Sequence, residues 1–256
     1  MRTPAFLIDT KPGPDQHHRL RIEPGERSNY RALAPLHYRP GHPATICRVL
    51  RAVETRRGEL AGVLVSSRPT LNGLWRAHAW PGRYCDPDKR ARARAINTGL
   101  RTISRVIVDP RYRGLSLAVR LVRAYLADPE TEHTEAIAAM GAVCPFFERA
   151  GMRRLPAPAM PDRDRRLLAA LRTADVEEAA ERLLRKRTTP SPSLERALRT
   201  WSRANASTRR ARGLTVDRLA ALAAGALLAP PIAYAAERPK ARSETGDGDH
   251  GPARKR

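Results

Sequence analysis

The 256-residue chain has room for one good-sized domain with an appendage, or for two small ones. Its net charge of +22, carried almost wholly by arginine, points to polyanions such as nucleic acid or cofactor phosphates, or to a solvated basic surface. Its three cysteines are scattered and form no C-x-x-C pair, and no G-x-x-x-x-G-K-[ST] occurs, which argues against structural zinc, a disulfide framework and a phosphate loop for ATP.

In chain order, residues 1 to about 19 are proline-bearing and polar after a short apolar run, Ala5 to Ile8. That run is too short for a signal-peptide core, so an edge strand or loose arm in a cytoplasmic protein is expected. Arg19 to Glu23 reads as extended, and Glu26 to Leu36 as a first helix. Ala44 to Val53 and Glu59 to Ser66 read as the two strands of a hairpin. Arg68 to Arg94 reads as a long surface insertion that exposes Trp75 and Trp80 as a substrate wall.

Arg101 to Val108 ends in three consecutive β-branched residues, the mark of a buried strand, and Asp109-Pro110 stops it. From Leu117 the positions Leu117, Leu121, Val122 and Tyr125 repeat at helical spacing as far as Asp128-Pro129. A helix that starts after a small-residue loop offers free backbone donors and a positive dipole end to an anion. Thr134 to Met140 reads as the next strand, and Pro145 to Ala150 as a short helix closed by Gly151.

The run Val108 to Gly114 and the block Phe146-Phe147-Glu148-Arg149-Ala150-Gly151-Met152 together resemble two ordered motifs of the GNAT N-acetyltransferase superfamily. Residues 20 to 155 are most similar to the acetyltransferase domain fused to ABC-type ATPases in some microbial proteins. The resemblance implies a mixed α/β acyltransferase fold that binds acetyl-CoA and passes its acetyl group to an amine. It places Arg113, Gly114, Leu115, Ser116, Leu117 and Ala118 on the pyrophosphate, the backbone of Val106 and Val108 on the pantetheine arm, and Phe147 beside the cofactor. Ser116 stands where the family usually has glycine. Phe147 stands where it often has the tyrosine acid, which leaves Tyr112, Tyr125, Cys144 or an unassisted thiolate for that role. Glu135 and His37 are the candidate bases. An ATPase partner is a further implication.

After Leu155 the composition shifts, so that residues 1–156 are expected as the acetyltransferase domain, 157–236 as a basic helical extension and 237–256 as a disordered tail. The extension reads as three helices: Arg163 to Arg187, Ser193 to Ala206 and Thr215 to Ala229. Pro230-Pro231 and many alanines argue for a packed helix there rather than a membrane span. Arginine clusters along the extension suggest RNA, DNA or a ribonucleoprotein, with Trp201 available to stack on a base. Three rival readings remain. Gly114 to Ala118 fits a nucleophile elbow, but five residues separate it from the strand. The histidines, including His17-His18, show no metal-ligand spacing. A catalytically degenerate binding module with the same fold is the alternative to an enzyme.

Overall fold

The structure, a computed structural model, describes residues 20–37, 41–157, 160–185, 191–204, 208 and 213–239. The expected N-terminal arm, the tail beyond residue 239 and most of the arginine clusters at 185–187 and 209–212 lie outside them. Strands β1 (Leu20–Gly25), β2 (Ile46–Glu54) and β3 (Leu60–Ser67) follow one another, with α1 (Arg27–Leu33) and a 3-10 turn between the first two. Then come α2 (Arg76–Ala79), α3 (Lys89–Gly99), β4 (Leu100–Val108), α4 (Leu117–Ala127), β5 (His133–Ala138), α5 (Phe146–Arg149) and β6 (Arg153–Arg154). Four helices, α6 (Asp162–Ala170), α7 (Val176–Leu184), α8 (Pro192–Ala204) and α9 (Val216–Leu228), precede the last strand, β7 (Ile232–Glu237).

The strands form one seven-stranded sheet in the order β1-β2-β3-β4-β5-β7-β6. Among the described strands only β4 and β5 pair in parallel, with α4 as their crossover. Both sides of the sheet are covered, which is why β3 reads as a nearly unbroken apolar run with Ala61 to Ser67 all buried. Leu50, Leu64, Leu117, Leu121 and Tyr125 pack on the α4 side, whereas Val49, Val63, Val65 and Ile107 pack against Tyr30 and Leu33 of α1.

Three expectations are corrected. Residues 68–94 are not an exposed wall: they form α2 and start α3, and Trp80 and Tyr84 are each only 6% exposed against Ile96 and Leu100. Sequence reading missed the anchor, because Arg76 reads as one surface arginine among many. Its guanidinium makes a bidentate pair with Glu135 at 2.8 and 2.9 Å, to which Trp75 Nε1 donates at 2.7 Å. The helix expected over 163–187 breaks into α6 and α7, since Arg172 turns left-handed at φ 55° and Asp175 caps the amides of Glu177 and Glu178. Finally, the extension does not end the fold. Ile232–Glu237 re-enters the sheet between β5 and β6, so α6 to α9 form an insertion between two strands, with their own core around Leu167, Leu198, Trp201 and Leu219.

Candidate active site

β4 carries a bulge. Val65 of β3 pairs with Arg105 but Ser66 pairs with Ile103, so Ser104 is an extra residue on β4. Its hydroxyl lies 2.7 Å from Ser67 Oγ and donates to the Val65 carbonyl at 3.2 Å. Such a residue bends its strand, and here the other edge shows the bend. β4 pairs with β5 only from Leu100 to Ile103, although β4 continues to Val108 and β5 to Ala138. From Ser104 to Val108 the β5 side of β4 presents backbone groups that no strand among the described residues takes up. Val106 and Val108 lie on this stretch, half-buried against the α4-side core.

The open edge leads into the loop before α4. Asp109 caps the chain as it leaves β4: its carboxylate accepts from Arg111 N at 2.9 Å and from the Arg111 guanidinium at 3.1 Å. These hydrogen bonds from Arg111 hold the Asp109 carboxyl below its ordinary range. Arg111 and Tyr112 also donate to Glu59, at 2.8 and 3.0 Å, which ties the loop to the start of β3. Gly114 and Ser116 then adopt left-handed conformations, φ 83° and 54°. Leu117 is buried and Leu115 packs beside it, fastening both ends of the turn to the core. The first turn of α4 contains no acidic residue. Arg113 and Ser116 are exposed at the turn, and the Arg113 side chain has no hydrogen bond or salt bridge among the described residues. Backbone donors, a helix dipole and a cation thus converge where an anion can sit.

Among the described residues the fold is a mixed α/β sheet with one parallel strand pair. β4, the small-residue loop, α4 and the parallel strand β5 follow one another in the order read from the sequence, and the bulge at Ser104 is a feature that the sequence did not announce. No protein-family model matches the chain, and no curated protein sequence matches it. Among solved structures, the chain is similar to the GNAT family N-acetyltransferase YhbS from Escherichia coli in complex with CoA, at 14% identity over 55% of this chain and 72% of that one, TM-score 0.37. It is also similar to the spermidine/spermine N-acetyltransferase SpeG from Vibrio cholerae, at 12% identity over 53% and 81%, TM-score 0.34. AtaT, complexed with acetyl-methionyl-tRNAfMet, aligns at 15% identity over 59% of this chain and 99% of that one, TM-score 0.31.

The structure brings together Val106, Val108 and the loop from Arg113 to Ala118, and separates other candidates from them. Phe147 packs into the core: it is 5% exposed, with Phe146 at 4.3 Å and Tyr234 at 5.3 Å between ring centroids. Glu135 is not a disposable base, because Arg76 and Trp75 occupy both of its oxygens and the pair is buried. Tyr112 is committed to Glu59, while Tyr125 is buried beside Glu130 under the paired part of the sheet. Burial and Glu130 drive the Tyr125 hydroxyl far above the ordinary phenol range, so neither tyrosine suits the acid role. Cys144 is exposed beyond β5. His37 closes the 3-10 turn that packs beside β4 on the α1 side. Sequence reading also missed Tyr234, whose hydroxyl donates to Glu148 at 3.2 Å and is raised by burial. Only the return of β7 to the sheet puts it next to Phe147. Among the described residues no acidic or histidine cluster is arranged to hold a metal.

Proposed function

We propose that the chain is an acetyl-CoA-dependent N-acetyltransferase. The observation that carries this reading is the edge of β4, unpaired among the described residues, followed after a 3-10 turn at Pro110–Tyr112 by the left-handed loop and the first turn of α4. Such an edge hydrogen-bonds an extended amide-bearing arm as if it were another strand, and the loop holds a diphosphate at its end. The parts fit acetyl-CoA: Gly114 has no neighbouring atom within 4 Å of the position a Cβ would take, and no carboxylate lines the helix start. When bound, the thioester supplies an activated acyl group.

What the protein adds is alignment and proton handling. The β4 backbone from Ser104 to Val108 fixes the arm and so the direction from which an amine approaches. His37, on the side of β4 away from α4, is the candidate to accept the proton of the attacking amine. A thiolate leaves without a strong acid because thiols are weakly basic, so the phenylalanine at Phe147 is compatible with turnover. Among the described residues no helix is long and apolar enough to cross a membrane. The exposed, unpaired Cys47, Cys85 and Cys144 support a reducing, cytoplasmic setting.

A second reading, a binding module without turnover, is favoured by one observation: both Phe147 and Glu135 are tied into the interior. Thermal unfolding titrated with acetyl-CoA tests the binding shared by the two readings, since a ligand at a hundred times its Kd stabilises the folded state by about 2.7 kcal/mol. No shift at millimolar acetyl-CoA overturns both. Transfer of labelled acetyl groups to acceptors in cell extract, lost in an Arg113→Ala/Gly114→Val variant, separates the enzyme from the module.

A further inference from the structure

We propose that the inserted helices α6 to α9 form an RNA-docking unit, and, resting on the transferase reading, that the acceptor amine reaches β4 on that RNA. The insertion leaves the sheet at Leu155 and returns at Ile232, which pairs with Ala138 at the C-terminal end of β5. That is the end of the sheet towards which the open edge of β4 runs, so both attachment points of the unit lie at the end on which the candidate site opens.

Its chemistry is written on α8. Leu194, Leu198 and Trp201 bury one side of this helix, while Arg196, Arg199 and Arg203 lie on the opposite side at spacings of three and four residues. The stripe extends about 10 Å along the axis. Glu195 engages Arg199 at 2.7 Å, but Arg196 and Arg203 have no acidic partner among the described residues. Arg166, Arg172, Arg185 and Arg218 are likewise exposed on the unit and outside any salt bridge there. A single helix face with three arginines and no hydrophobic residue is built for a charged surface. Among the described residues, the carboxylates beside the loop, Asp109 and Glu59, are already engaged by Arg111 and so offer little to a polycationic acceptor. The net charge of +22 repels one as well.

RNA is favoured over duplex DNA because arginine planes stack on unpaired bases as well as pairing with phosphates, and folded RNA exposes such bases. No tryptophan takes part: Trp201, expected to stack on a base, is 2% exposed and donates to the buried carboxylate of Asp164 at 2.7 Å.

Fluorescence anisotropy of the full chain with a labelled RNA stem-loop, and with a duplex DNA of the same sequence, across a salt series tests the proposal. The expected result is RNA binding that weakens steeply with salt, at least tenfold weaker in an Arg196→Glu/Arg199→Glu/Arg203→Glu variant, with the salt slope reduced by about three. The corresponding triple Arg→Gln variant should lie between the two, and circular dichroism should show that both variants are folded. Unchanged RNA affinity in the folded variants, no binding at low salt, or equal affinity for the duplex DNA overturns the proposal. The measurement contains no acetyl-CoA, so its outcome is independent of the thermal titration that tests the transferase reading.

Discussion

Ser116 holds a left-handed backbone at φ 54° without a side-chain cap of its own. A Cβ in that region costs about 1–2 kcal/mol, and such strain persists where the surrounding structure over-determines it, here between buried Leu117 and the half-buried Leu115. Ser116→Gly should therefore raise the unfolding free energy by about 1 kcal/mol and leave acetyl-CoA binding equal or tighter. A weaker acetyl-CoA shift in that variant would assign the hydroxyl, rather than the backbone, to the ligand. Glu135 is a different case at the same scale. Removing its charge leaves Arg76 buried without a countercharge, a loss of about 3–5 kcal/mol for a broken buried pair. Glu135→Gln should accordingly lower chemical-denaturation stability by that order while the acetyl-transfer rate per folded molecule and its pH profile stay unchanged. An altered pH profile at unchanged stability would restore the base role.

Among the elements, β4 decides the site. The extra residue at Ser104 turns the strand away from β5, and the parallel ladder ends at Ile103, one residue before it. Deleting Ser104 should let β4 run in register with β3 and continue its pairing with Ile137 and Ala138 of β5. The sheet would survive and the open edge would close, so acetyl-CoA should no longer shift the unfolding temperature while circular dichroism stays close to that of the parent chain. A preserved shift would mean that the ligand does not use the β4 edge. α8 illustrates the opposite dependence. Its arginine stripe follows from spacing alone, because one side of a helix is fixed once Leu194, Leu198 and Trp201 are buried.

For the whole molecule, the insertion and the sheet have separate cores, and the two attachment points meet where Leu155 N donates to the Ala233 carbonyl at 2.9 Å. Replacing residues 157–230 by a short glycine-serine link should leave a folded sheet that still responds to acetyl-CoA and no longer binds RNA. Loss of the acetyl-CoA response would show that the helices help build the site. What the sequence by itself determined is local: the β-branched end of β4, the small-residue turn before α4, the hairpin of β2 and β3, and the amphipathic helices of the insertion. Each is written in spacings of two or of three and four residues, so neighbours in the chain suffice to specify it. The tertiary structure alone decided the rest. Arg76 meets Glu135 across 59 residues. Tyr234 reaches Phe147 because a strand returns after four helices, and Ile232–Glu237 follows the helix-ending Pro230-Pro231 with no strand expected there until the unfilled edge of β5 captures it. These contacts join residues far apart in the chain, and what selects them is the need to pair buried charge and backbone edges, which has no period in the sequence.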